Sequence, residues 1–290
     1  MLSPRIAPLA GDRLHLQHGP IDLVIGVDAE PEERALALRQ AAENFGDILP
    51  ALMAEIAPLR QPVGATPPGF DGETARRMGE AVRPHRDVFV TPMAAVAGAV
   101  ADTVLARLCR GRRLTRAYVN NGGDVALHLS PGSRFDAAIV ADPDDPAVDG
   151  LAALDADSPV RGLATSGWRG RSHSLGIADA VTVLARSAAA DVAATLIANA
   201  VNVEDPAIRR EPAQVDDPDS DLGDRPVTVA VGPLDRGQVA AALARGAEAA
   251  RHMRHKKLIE GALLMLQGER QVVGGLPMRP LRDRRKGVAA

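Results

Sequence analysis

Residues 92–108 and 188–203 constrain this chain most. Both stretches are built almost wholly from small or apolar residues, and each holds one carboxylate, Asp102 in the first and Asp191 in the second. A helix that is apolar on nearly every side has to be buried, and small side chains let it pack closely. An acid inside such a helix needs a partner if it does not reach water. Asp191 and Thr195 stand at i and i+4, so a carboxylate and a hydroxyl share one helical face. Both offer hard oxygens, the donors that Mg²⁺ or Ca²⁺ take.

The rest of the chain sets a frame around these helices. Runs at 13–17 and 21–27 flank His18-Gly19-Pro20 and predict a β-hairpin. Apolar spacing near 3.6 from Pro31 to Ile56 predicts a helix, with Pro50 able to kink or split it. A Pro/Gly-rich loop follows at 58–70, then a short helix at 72–82. Strands are expected at 115–120, 125–129 and 135–140, an acidic loop at 142–159, and strands again at 160–164 and 178–185. After the second small-residue helix come a polar loop at 204–226, a strand at 227–231, a helix near 236–252 and strands at 258–267 and 270–273. The sequence of strands, helices and strands, stated twice, predicts an α+β fold with a weak internal duplication rather than alternating βαβ units.

Composition removes several function classes. The chain has 290 residues, 46% of them hydrophobic, enough for one large core or two closely packed halves. A net charge of −3 with 2% aromatic residues points away from nucleic acid. One cysteine, Cys109, excludes an intramolecular disulfide and reads as a buried, inert thiol. No run of eighteen apolar residues or basic-then-apolar N-terminus occurs, so no membrane span or signal peptide is expected, and the cytoplasm is the default compartment.

Three segments carry chemistry. Asn120-Asn121-Gly122-Gly123-Asp124 lies between two strand-like runs. Such a segment is an ordinary hairpin turn, or a place where glycines let backbone approach a ligand while Asp124 takes a ribose or base donor. Thr165-Ser166-Gly167 and Arg171-Ser172-His173 lie in one polar loop with Trp168 and Arg169. Hydroxyls, backbone N–H groups and guanidinium forks of that kind hold phosphates, and His173 is a candidate general base. Asp179 sits among apolar residues in a strand-like run and requires a partner if buried. The acidic run 216–221 lacks calcium-loop spacing and reads as a solvated loop.

At these residues the chain resembles the UPF0280 family of the ApbE-like superfamily. The resemblance is carried by 91–102, 120–124, 164–167, 172–181 and 190–199, and spans about 12–275. It implies two intertwined T-fold-like units with antiparallel sheets and small-residue helices packed between or against them. It implies a single domain over 1–278 made of two swapped halves, followed by a basic tail at 279–290. The transferases of the superfamily are Mg²⁺-dependent, cleave FAD and attach FMN to a protein threonine. By resemblance, Asp191 and Thr195 match metal ligands, with a backbone carbonyl near Val96 or Ala97 as a third. Asp124 and the Gly122-Gly123 pair match the nucleotide-contacting turn, and His173 matches the active-site histidine. From their residue types, Asn121, Thr165, Ser166, Gly167, Arg171 and Ser172 join the cofactor-binding candidates, and Asp179 joins His173 as a catalytic candidate. Two positions depart from the transferase pattern. Ala97 stands where the transferases carry lysine, and Ser174 to Asp179 lacks their Pro and Thr-Gly after the histidine.

The resulting expectation is a cytoplasmic protein using Mg²⁺ on FAD or a related nucleotide-like cofactor, by phosphoanhydride cleavage or FMN transfer. Its partners would be a flavin and a protein substrate, with no nucleic acid and no membrane, and a homodimer is compatible. Two alternatives stay open: a flavin- or pterin-binding module without chemistry, and an enzyme of pterin-like C1 cofactor synthesis.

Overall fold

The computed structural model describes residues 3–64, 69–140, 150–170, 173–218, 220–275 and 278–280. In chain order it opens with strands β1 (Arg5–Leu9), β2 (Arg13–His18) and β3 (Ile21–Asp28), joined antiparallel with Leu16 opposite Leu23. The hairpin is the one expected; β1 was not. Helices α1 (Pro31–Glu43), α2 (Ile48–Ala54), α3 (Ile56–Leu59) and α4 (Glu73–Val82) follow. The expected long helix is broken at 44–47, ahead of Pro50. That proline falls in the first turn of α2, where a missing N–H costs nothing.

A 3₁₀ turn at Pro92–Ala95 leads into α5 (Val96–Cys109). Then come β4 (Arg116–Asn121), β5 (Asp124–Leu129), β6 (Arg134–Ile139), β7 (Gly150–Asp155), β8 (Gly162–Ser166) and β9 (Ala180–Ala185). A second 3₁₀ turn, Ala188–Ala190, opens α6 (Asp191–Ala200). The chain closes with β10 (Ile208–Pro212), α7 (Ala213–Asp216), β11 (Pro226–Val231), α8 (Arg236–His255), β12 (Gly261–Leu266), β13 (Glu269–Val273) and β14 (Met278–Pro280). Two stretches expected as loops are corrected. Residues 150–155 form β7, paired with β14, and 208–212 form β10, paired with β11. Tertiary pairing overrode their polar surroundings, since strand propensity depends strongly on context. Residues 141–149 of the expected acidic loop, and 281–290 of the basic tail, lie outside the described residues.

The chain divides into two compact units interleaved along the sequence. The first takes residues up to Phe135 with Asp155–Ala164 and Ala185–Val192; the second takes Asp136–Leu154, Thr165–Leu184 and residues from Ala193 onward. In the first unit β1 to β5 pair antiparallel in sequence order, and Leu163 at the start of β8 pairs with Val125 of β5. Helix α5 lies on β4 and β5, flanked by α1 and α4. In the second unit β9, β12 and β13 form an antiparallel run covered on one face by α8, whose first turn carries a reciprocal Asp235–Gln238 capping box. The class is α+β with antiparallel sheets, as the sequence indicated.

By length and mean hydropathy, 1.4, Pro92–Cys109 qualifies as a membrane-crossing helix. Within the first unit it is a core helix: Ala99, Val100, Ala101, Val104 and Leu108 are buried against the sheet and the neighbouring helices. Cys109 at its end is partly buried, and desolvation pushes its thiol up to about 11.

Candidate functional site

In the first unit the site begins at the β4–β5 turn. Asn121 pairs with Asp124 across a two-residue loop, and Gly122 and Gly123 both have positive φ, 64° and 107°. A loop of that form demands glycine, so the turn geometry explains the pair. Asn120 Oδ1 accepts the Gly123 N–H at 2.9 Å. The residues on either side are less ordinary. Asn121 and Asp124 are only 6% and 7% exposed, on the face that α5 covers. Asn121 Nδ2 donates to the Ala97 carbonyl at 3.0 Å, which ties the turn to the start of α5.

Helix α5 meets the segment before α6 at its own first turns. A Cβ on Gly98 would collide with the Ala188 carbonyl, so glycine permits this approach. The Gly98 N–H donates to Asp191 Oδ2 at 2.9 Å, and Asp191 Oδ1 accepts the N–H of Val192. In the other direction, Asp102 of α5 accepts the N–H groups of Ala188 and Ala189 at 3.1 and 2.9 Å. Within the first unit, α5 and the Ala188–Asp191 segment are therefore joined by two carboxylates reaching in opposite directions.

The electrostatics single out Asp191. Burial first, and then the negative charge of Asp124, hold its carboxyl well above the usual carboxylate range. The Gly98 and Val192 amides pull it back, and Asp102 adds to the rise. Asp102 is raised too, by burial, against the opposing effect of the Ala189 and Ala188 amides and of Arg77. Two buried carboxylates close enough to repel are a donor set for a hard cation, so the residues present fit Mg²⁺. Among the described residues no group of three or more His, Cys, Asp or Glu side chains could hold a metal by itself. Carbonyls, hydroxyls, water or a ligand would have to complete the shell. Val96, expected to offer a carbonyl, is the first residue of α5.

The remaining expected residues belong to the second unit. Ser166 closes β8, and Thr195 Oγ1 reaches Ser166 Oγ at a long 3.4 Å. Thr165 Oγ1 lies 2.9 Å from Thr182 Oγ1 on β9. Gly167 lies against the Asp179 carbonyl, where a Cβ would not fit. The Asp179 carboxylate accepts the Gln267 N–H at the β12–β13 turn and pairs with Arg169 at 3.7 Å, while Arg169 stacks over Trp168. Asp179 thus has a structural occupation at this turn. His173 is half-buried. The residues after it are pinned: Asn199 Oδ1 accepts from Ser174 Oγ and the Leu175 N–H, and Thr228 N–H donates to Ser174 O at 2.7 Å. Arg171 and Ser172 lie outside the described residues. The roles of Gly98 and Asn199 were missed in the sequence, because each acts on a partner that only folding brings near.

The family model described as AbpE bacteria matches residues 6–272. The chain belongs to this ApbE-like family. The ApbE-like chain is 34% identical over 183 residues to a UPF0280 protein of Methanopyrus kandleri, covering 62% of this chain and 69% of that one. It is 32% identical over 178 residues to a UPF0280 protein of Methanothrix thermoacetophila, covering 56% of this chain and 65% of that one. Among solved structures it is similar to a flavin transferase ApbE from Vibrio cholerae, at 13% identity and a TM-score of 0.41 over 98% of both chains. It is also similar to a Pseudomonas stutzeri flavinyl transferase ApbE, at 13% identity and a TM-score of 0.35 over 100% and 99%.

Proposed function

We propose that this ApbE-like protein binds FAD, or a nucleotide-like cofactor of the same diphosphate class, together with Mg²⁺, and acts on its phosphoanhydride in the cytoplasm. The observation that carries the reading is the buried Asp124–Asp191 pair, whose mutual repulsion a divalent cation relieves. Asp191 would hold the ion with Thr195, one turn further along α6, and with a backbone carbonyl at Val96 or Ala97. The Ala97 carbonyl already accepts from Asn121 and, inside α5, from a backbone N–H one turn on, so an ion there would displace one of these or use the Val96 carbonyl. When bound, the ion would neutralise charge on the phosphate oxygens.

The chain's own groups have separable tasks in this reading. Asn121, Gly122, Gly123 and Asp124 form the turn that would face the nucleotide, with Asp124 accepting from a ribose or base donor. Thr165, Ser166 and Gly167, with Arg171 and Ser172, would supply hydroxyl, amide and guanidinium donors to phosphate. His173, on a segment fixed by Asn199 and Thr228, would carry the proton, and its rigid flank supports a positioned base. A protein threonine is the acceptor if FMN is transferred.

A second reading, a flavin- or pterin-binding module without turnover, is favoured by one observation. Ala97 offers no cationic side chain beside the Gly98–Asp191 contact. One experiment separates the two. FAD is titrated into wild type and Asp191→Ala with and without Mg²⁺, and AMP release is followed. Metal-dependent binding and AMP release by wild type alone support the enzyme, and metal-dependent binding without release supports the module. Equal, metal-independent affinity in both proteins refutes the site.

A further inference from the structure

We infer that Asp102 is a positioning residue for the cation site: it does not touch the ion, but it sets where Asp191 stands and how strongly the site attracts positive charge. The inference rests on the reading of Asp191 as a cation ligand, and goes beyond it by assigning a task to a carboxylate outside the ligand set.

The geometry is local to the first unit. Asp102 spends both carboxylate oxygens on the segment that delivers Asp191, Oδ1 on the Ala188 N–H and Oδ2 on the Ala189 N–H. Two residues later the chain reaches Asp191, whose Oδ2 takes the Gly98 N–H one helical turn before Asp102. Four points therefore lock together: Gly98 lets the Ala188 carbonyl approach, Asp102 holds the Ala188 and Ala189 amides, Gly98 N–H fixes Asp191, and Asn121 ties the Ala97 carbonyl to the turn that carries Asp124. A carboxylate that only capped the 3₁₀ turn would meet the same amides. It would not need to be the second negative charge near Asp191, a contribution Asp102 makes after Asp124. Groups that orient a metal ligand without touching the metal typically change affinity by about 10–100-fold when altered.

The facing charges fit this division. Asp102 is opposed by Arg77 of α4, the cation acting on it. Among the described residues, the charged groups that act on Asp191 are Asp124 and Asp102, and its stabilising contacts are the Gly98 and Val192 amides. A divalent ion at this end of α5 would offset the charge of these acids.

The test uses full-length protein, with Mn²⁺ as the probe, measured by electron paramagnetic resonance and calorimetry. Wild type, Asp102→Asn, Asp191→Ala and Asp28→Asn are compared, each with its melting temperature; Asp28→Asn removes one carboxylate charge from an exposed pair with Arg116. Asparagine keeps the shape of Asp102 but turns a donor toward an amide donor and removes the charge. Asp102→Asn is expected to weaken Mn²⁺ binding roughly 10-fold or more, with Asp28→Asn near wild type. Mn²⁺ binding lost in Asp191→Ala but unchanged in Asp102→Asn overturns the inference and leaves the cation site standing. A wild type that binds no Mn²⁺, with or without FAD, overturns both. If Asp102→Asn does not fold, hydrogen exchange of wild type decides. Added Mn²⁺ should deepen protection of the Ala188 and Ala189 amides, and no change there refutes the role.

Discussion

Replacing Gly98 by alanine tests the meeting of α5 with the Ala188 turn more sharply than any other single change. In an exposed helix this substitution stabilises by roughly 1 kcal/mol, because glycine carries the larger entropy loss on folding. At Gly98 the added methyl would meet the Ala188 carbonyl and the Ala189 nitrogen, both backbone atoms. Overpacking of this kind costs about 1–3 kcal/mol, and a backbone neighbour places the cost at the upper end. The net is a loss of about 2 kcal/mol, or roughly 4–8 °C in melting temperature by the scaling for large domains. Gly79→Ala is the comparison: its Cβ would stand 2.8 Å from the Phe70 ring, a side chain that can turn aside, so its loss should be smaller. Scanning calorimetry and urea titration read both variants. The collision also moves the amide that holds Asp191, so Gly98→Ala should weaken cation-dependent FAD binding, while Gly79→Ala should not. A Gly98→Ala protein as stable as wild type, or more so, would show that the joint is loose and remove the basis for treating Asp191 as fixed.

Other expectations follow from the same contacts. Asp191 has a folded pKa above its unfolded value, so its contribution is most favourable below the unfolded pKa near 4 and declines as pH rises toward and through the folded one. Asp191→Asn should therefore gain stability over wild type progressively as pH rises above 4 without divalent ion, and Mg²⁺ should narrow that gap; a pH-independent difference in melting temperature argues against it. The Cys109 thiol, at about 11, should react with a disulfide reagent at pH 8 far more slowly than in unfolded protein; reaction at the rate of a free thiol contradicts the burial. Asn199→Ala strands the Ser174 hydroxyl and the Leu175 N–H and should cost about 1–3 kcal/mol; a loss within error of zero in urea unfolding would mean that water replaces the acceptor.

The elements read well wherever a local pattern set them. The β2–β3 hairpin, α5, α8 and the β12–β13 pair lie close to where periodicity and turn residues put them. Strands β7 and β10 were not legible, because their pairing partners, β14 and β11, supply what their own residues do not signal. The same limit applied to the site. Asp191 and Asp124 stood out as acids in unusual surroundings. That Asp102 would face backbone amides eighty-six and eighty-seven residues away, or that Gly98 would be needed for a carbonyl's approach, depends on distance in space that spacing in sequence does not encode. The glycines of the β4–β5 turn show the converse: their positive φ angles are what the turn requires whether or not a ligand approaches it, so the pattern alone could not separate the two readings.

The interleaving of the two units has a consequence for synthesis on the ribosome. The first unit, begun at the N-terminus, is not complete at Phe135; it still lacks Asp155–Ala164 and Ala185–Val192. At about 5–20 residues per second the interval between Phe135 and Val192 leaving the ribosome is on the order of 3–11 s. During that time α5 has no Ala188 turn to receive, and its apolar face and Asp102 wait for partners not yet made. The nascent protein therefore passes through a stage with an open, hydrophobic helix end, and that stage, more than the finished fold, is where a chaperone would find it.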